Sequence, residues 1–340
     1  MNYTEFLREL AVDLQHELNQ RNRDTEVTII DVEKPWDWQV GLQISDGRNV
    51  CPIVYPDKQY DYYRAGMNYQ MIVDFLANNV ENALDEIPEK HELDFMALKD
   101  NISIQLLNTE RSSHYLEGKV HREVEDLSMI YRLNMELRDG RKGSCVVSEA
   151  MMHLMGLDED ELYDLAMEKA PINSPYQIKS ITEVIEEITN EEVFLSCPLM
   201  VLTNDENIYG ASVIMYPKVL EQCSTVMNGD FYVIPSSVHE CLIQPDNENV
   251  SLEGLKAIVK EVNDTQLSPE DLLSYSVYHY DHKEKIFELA DKYEARMKEK
   301  AKQSLMGNLE SKKHDVARDD HLRRNQDIGC RRTQGGSLCL

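Results

Sequence analysis

Ser236, Ser237, His239 and Glu240 are the side chains whose types and spacing come nearest to chemistry in this sequence. A His-Glu pair opens the helical zinc-protease motif, which needs a second His four residues after the first so that both rings face one metal. Position 243 is Ile, so the motif is incomplete. A serine nucleophile with a histidine base is the other possibility. On a strand, Ser237 and His239 would share a face about 6.6 Å apart along the backbone, an awkward reach for a direct hydrogen bond. No G-x-S-x-G elbow surrounds either serine. The competing reading makes both serines turn residues. It sets His239 beside Cys241 and Ile243 on one strand face, bonded to a backbone carbonyl, with Glu240 on the opposite face.

No cofactor and no metal is expected. The chain has neither a G-x-G-x-x-G stretch nor a P-loop. His114, His121 and His153, with Glu123, Glu125 and Asp126, fit no familiar ligand spacing and read as solvated surface. His279 and His282 flank a predicted turn, and both are expected to be exposed.

The elements that would position these residues follow from local pattern. Phe231–Ile234 is a buried strand ending at Pro235, and Val238–Ile243 a second. Ser251 caps a helix carrying Leu252, Leu255, Ile258, Val259 and Val262. Ser268-Pro269-Glu270-Asp271 has the cap, proline and acids of another helix start. Tyr275–Tyr280 reads as a strand that turns at Asp281-His282-Lys283 into Ile286-Phe287.

Upstream, Asn2 and Glu5 can box a helix whose apolar stripe is Phe6, Leu7, Leu10, Leu14 and Leu18. Residues 27–32, 39–44 and 49–55 read as strands, the last two joined at Ser45-Asp46-Gly47-Arg48. Tyr55, Tyr60, Tyr62, Tyr63 and Tyr69 form either a binding surface or, as density favours, a strand-to-helix packing layer. A helix over 69–83 follows. Strands are expected at 102–107 and 129–137, with a second Asp-Gly turn at Arg138–Arg141. Asp158 with Glu161, and Ser180 with Glu183, cap two further helices. Leu199–Leu202 and Ser212–Met215 read as a hairpin, followed by a helix from Pro217 to Met227.

Hairpin and then helix thus recurs near 39–83, 129–170 and 199–227. The pattern predicts an α+β fold, with antiparallel sheets built from hairpin-helix units and helices packed on one face. The polar stretch Asp85–Glu92 suggests a boundary. The expected organisation is an N-terminal α+β domain (1–90), a C-terminal α+β domain (91–290), a charged helix (291–310) and a disordered basic tail (311–340). The tail holds seven Lys/Arg against four Asp/Glu.

The 340 residues carry 62 acidic against 35 basic side chains, a net charge of −27. Such a charge repels phosphate backbones and anionic membranes, so direct nucleic-acid binding and membrane association are not expected. It suits a basic protein partner, or a surface that imitates nucleic acid. The seven cysteines form no C-x-x-C pair, and the N-terminus has no signal-peptide pattern, which together point to cytoplasm.

Several blocks resemble a bacterial family catalogued as domain of unknown function family 5688. They are MNYTEFL at the N-terminus, VHREVEDLSMIYRL (120–133), PLMVLTN (198–204), YGASVIMYP (209–217), FYVIPSSVHE (231–240) and VNDTQLSPEDLLSYSVYHYD (262–281). The last two are the most specific. The family usually has Pro before His-Arg-Glu in the first long block, where this chain has Val120. The resemblance covers roughly 1–290 and implies one recurring α+β unit in a bacterial cytosol. It brings no established activity, cofactor or site residue. The leading expectation is therefore a non-enzymatic binding or regulatory protein with an acidic surface. The alternatives are a hydrolase using His239 and Glu240 with Ser236 or Ser237, and an acidic nucleic-acid mimic.

Overall fold

Asn2 opens the first helix through a reciprocal cap. Its side chain accepts the Glu5 amide at 2.9 Å, and the Glu5 carboxylate accepts the Asn2 amide at 3.0 Å. The computed structural model describes residues 1–48, 51–86, 95–136, 142–193, 198–247 and 250–306.

Helix α1 (Tyr3–Gln20) is followed by β1 (Glu26–Glu33), β2 (Trp38–Ser45) and β3 (Ile53–Val54), then α2 (Asp57–Arg64) and α3 (Tyr69–Glu86). The three strands form one antiparallel sheet. Phe6, Leu10, Leu14 and Leu18 of α1 meet Leu42 and Ile44 of β2 and Ile72, Leu76 and Val80 of α3 in a closed apolar core. Tyr60, Tyr63 and Tyr69 surround Phe6 at ring separations of 5.2, 5.5 and 6.0 Å, so these tyrosines are a packing layer. Gly47 takes φ +81°, the backbone the Asp-Gly turn needs. The strand expected over 49–55 shortens to Ile53–Val54, with Asn49 and Val50 outside the described residues.

The chain continues through α4 (Phe95–Leu98), β4 (Ile102–Asn108), α5 (Ser113–Leu116), β5 (His121–Val124), β6 (Leu127–Glu136) and β7 (Lys142–Val146). Strand β6 pairs with β4, β5 and β7. Next come α6 (Glu149–Leu154), α7 (Glu159–Asn173), β8 (Tyr176–Ser180), α8 (Ile181–Thr189), β9 (Met200–Asn204) and α9 (Val219–Met227). The last elements are β10 (Phe231–Pro235), β11 (Cys241–Pro245), α10 (Leu252–Thr265), β12 (Tyr278–Asp281), β13 (Ile286–Leu289) and a helix α11 over 290–306. A six-stranded sheet has the order β13-β12-β10-β11-β9-β8. All named strand pairs are antiparallel, so the fold is α+β as expected. A second, larger core joins Leu106 and Tyr131 to Leu202, Phe231, Ile243 and Tyr278. The boxes at Asp158–Glu161 and Ser180–Glu183 and the cap at Ser251 all form.

Four local expectations are corrected. Ser212–Met215 is not a strand but part of a 3₁₀ helix, Gly210–Met215. Both sides of β9 are already paired, to β8 and β11, and Asn207 and Tyr209 at φ +53° break the extended run. The second central strand begins at Cys241, not Val238. Residues 236–240 form a turn in which the Ser236 and Ser237 amides both donate to the Glu240 carbonyl at 3.2 Å. Ser268-Pro269-Glu270-Asp271 makes a single turn and no helix. Its backbone is claimed from outside, because the Val238 amide donates to the Asp271 carbonyl and Arg111 to that of Leu272. The strand expected from Tyr275 starts only at Tyr278, and its His279 is fully buried rather than exposed. Strand β12 lies between β10 and β13, and Tyr293 of α11 stacks on the His279 ring at 3.5 Å. The Arg138–Arg141 turn and the basic tail lie outside the described residues, as do residues 87–94 of the expected boundary.

Helix α11 has few apolar anchors and docks through charge. Arg296 bridges Asp281 at 3.0 Å and Glu288 at 2.6 Å. Burial raises the Asp281 carboxyl, but the Glu284 and Lys283 amides and the Arg296 guanidinium outweigh it. The net position is below the usual aspartate value. A carboxyl depressed by folding adds stability above its unfolded pKa, and that stability is lost as pH falls through the folded value. On acidification below about pH 3.9, amides of 290–306 should therefore exchange faster while the β10–β12 amides stay protected. Hydrogen exchange read by mass spectrometry checks this. Loss of both sets together would show that the Arg296 contacts do not hold the helix independently.

Two features tie the parts together. The Asp126 carboxylate, in the β5–β6 turn, accepts the hydroxyls of Ser274 at 2.7 Å, Ser276 at 3.0 Å and Tyr278. The β1–β2 turn rests on the second half of the molecule. The His114 ring donates to the Lys34 carbonyl at 3.0 Å, and Lys119 pairs with Glu33 at 3.1 Å.

Candidate functional site

A cavity of about 340 Å³ lies where the β1–β2 turn meets the two larger sheets. Six separate segments supply it. Lys34 and Trp36 come from the β1–β2 turn, Arg111 from the segment between β4 and α5, and Arg132 from β6. Tyr209 comes from the loop after β9, His239 from the β10–β11 turn, and Asp271 from the turn after α10.

The position of His239 depends on a close backbone approach. Gly210 packs so tightly that an added Cβ would lie 2.2 Å from Thr203 Oγ1, 2.5 Å from the His239 carbonyl oxygen and 2.7 Å from the Asn204 nitrogen. Without a side chain there, Thr203 Oγ1 donates to the His239 carbonyl at 2.8 Å. The Tyr209 amide then donates to His239 Nδ1 at 3.2 Å. A ring nitrogen that accepts an N–H carries no proton, so the neutral ring holds its proton on Nε2. Nε2 lies 3.3 Å from Asp271 Oδ1. Nδ1 of His239 is thereby engaged, and Nε2 faces the Asp271 carboxylate.

Tyr209 is the centre of a stack of planes. Its ring is 5.9 Å from that of His239 with only 11° between them, and the Arg132 guanidinium lies 5.0 Å from its centroid. Among the described residues Arg132 is braced by neutral partners, Gln105 Oε1 at 2.8 Å and Ser144 Oγ at 2.8 and 3.0 Å. Arg111 donates to the Leu272 carbonyl at 3.1 Å and pairs with no carboxylate among the described residues. Lys34 sits 4.3 Å over the Tyr55 ring. Burial pushes the Tyr115 phenol up against the opposing pull of Arg132, so this wall offers a neutral hydroxyl. The acids at the rim are the exposed Glu270 and the His239-bound Asp271.

Of the four residues singled out by sequence, His239 alone lines this cavity; Ser236, Ser237 and Glu240 do not. Ser237 Oγ accepts the His239 amide at 3.0 Å, as a turn serine does. Among the described residues no group of three or more His, Cys, Asp or Glu side chains is placed to hold a metal ion. Sequence reasoning missed Lys34, Trp36, Arg111, Arg132, Tyr209 and Asp271. Arg132 did leave a signal, as a lone charge in the otherwise apolar MIYRL run of a strand.

The family model for a family of unknown function (DUF5688) matches residues 3–282, which span every segment of the cavity. The chain belongs to this family. No curated protein and no solved structure matches it. For this DUF5688 member the candidate site therefore rests on its own geometry. Among the described residues no helix is long and apolar enough to cross a membrane.

Proposed function

We propose that this protein is a non-enzymatic binding protein that takes a small organic anion in the cavity between the β1–β2 turn and the two larger sheets. The observation that carries the reading is the state of Arg111 and Arg132. Acids outnumber bases 62 to 35 in this chain, yet neither guanidinium is within ion-pair distance of a described carboxylate. A guanidinium presents a fork of donors matched to carboxylate and phosphate oxygens. Arg111 uses one of these donors on the protein, and Arg132 is held in place by neutral groups. The cavity volume falls within the range of small-molecule sites.

The hydrolase alternative finds less support. The His239 Nδ1 lone pair is taken by the Tyr209 amide, and neither Ser236 nor Ser237 lines the cavity. Cytosolic residence is part of the proposal and is supported by the thiols. Cys51, Cys145, Cys223 and Cys241 are all unpaired.

The test compares ribose 5-phosphate with ribose by titration calorimetry on the full chain. The phosphate should bind and the neutral sugar should not, and Arg111→Gln should weaken the phosphate by about tenfold, the loss of one charge-assisted contact. Equal behaviour of the two sugars, or an unaffected Arg111→Gln variant, would remove the basis of the reading.

A further inference from the structure

Within the same cavity, and resting on the anion reading above, we infer that the ligand carries a planar ring and that Trp36 is the platform on which the ring lies. Trp36 lines the cavity from the tip of the β1–β2 turn. The neighbouring rings are already committed. Tyr209 lies against His239 and Arg132, while Tyr55 lies under Lys34. Trp38, two residues on, is more than half exposed and its ring contact is His114. Trp36, by contrast, stacks on no ring and no cation among the described residues, and its indole N–H donates to none of them.

An indole that lines a cavity, half-buried and with no ring, cation or hydrogen-bond partner among the described residues, suits an aromatic or heterocyclic group. Its turn is fixed at the base, where the Lys34 amide donates to the Asp37 carbonyl at 2.9 Å and His114 donates to the Lys34 carbonyl at 3.0 Å. Lys34 and Trp36 are thus presented together, with Arg111 lining the same cavity. The ligand class is a ring-bearing organic anion, of which a nucleoside monophosphate is one kind and an aromatic carboxylate another.

The chain has two tryptophans, so Trp38→Phe leaves Trp36 as its sole indole. Three probes separate the contributions: adenosine 5′-monophosphate, ribose 5-phosphate and benzoate. The expected result is that adenosine monophosphate binds about tenfold tighter than ribose 5-phosphate, the worth of one ring stacked on an aromatic side chain. It should also change Trp36 emission in the Trp38→Phe protein. Trp36→Ala should abolish the tenfold preference, weakening adenosine monophosphate about tenfold more than ribose 5-phosphate. Benzoate binding that Trp36→Ala also weakens assigns the anion to carboxylates as well as phosphates; benzoate without binding confines it to phosphates. Equal affinity for the two phosphates, or a Trp36→Ala variant that weakens both alike, overturns the ring inference and leaves the anion site standing. Failure of all three probes overturns both.

Discussion

Gly210→Ala should lower the unfolding free energy by about 3 kcal/mol. Gly210 lies in the 3₁₀ helix without a positive φ, so backbone strain is not the reason. The reason is contact. A methyl group there would sit well inside van der Waals distance of Thr203 Oγ1, the His239 carbonyl and the Asn204 nitrogen. Two of these three atoms are backbone, and β9 is held from both sides by β8 and β11, so it cannot retreat. The 3₁₀ segment must move instead, carrying Tyr209 and breaking its hydrogen bond to His239. Urea denaturation measures the cost, and weaker ribose 5-phosphate binding should accompany it. Gly47 offers the contrast. It stands in open space, and its substitution is limited by φ alone. If Gly210→Ala were as mild as a surface change, the close approach would not be what positions the site.

Asp126→Ala should cost about 3 kcal/mol as well. The carboxylate is shared by three hydroxyls, and two of them, on Ser274 and Tyr278, belong to buried residues. Burial, and then the Asp126 charge, push the Tyr278 phenol far above its usual range, so it remains a neutral donor. Removing the acceptor leaves that donor buried and unsatisfied, which costs more than the bond itself contributes. The attribution can be checked with a double-mutant cycle. Tyr278→Phe introduced into Asp126→Ala should restore part of the lost stability, because the stranded hydroxyl disappears. Additive losses in denaturant midpoints would show that the two residues act separately.

The helix caps at Asn2, Asp158, Ser180 and Ser251 were legible in the sequence because the partner of each cap lies three residues away. The same signal failed at Ser268. Its hydroxyl does reach Asp271, at 2.8 Å, but the carbonyl a helix would use is taken by the Val238 amide. Val213 and Ile214 favour strands by type, yet they turn into a 3₁₀ helix because no strand position beside β9 remained open. The site was legible only as fragments. His239 was recognisable by type, whereas Asp271 and Tyr209 reach it from distant segments, and nothing local marks that meeting. Arg111 and Trp36 were hidden for the same reason. Their proposed roles rest on the absence of a carboxylate beside Arg111 and of a ring beside Trp36 among the described residues, which is a property of three dimensions.

The two largest apolar cores also set an order in which the chain can be completed as it is synthesised. Every buried residue of the first core falls between Phe6 and Leu84, so that core can close once the leading quarter of the chain has emerged. The second draws on Ile102 at one end and Tyr280 at the other, and β12 needs β13 at its outer edge. Until residue 289 is available its early strands stay partly uncovered, the condition under which unpaired strands recruit wrong neighbours. The β1–β2 turn, carried on a strand that the first core already holds, is by then available for the last wall of the cavity to assemble against.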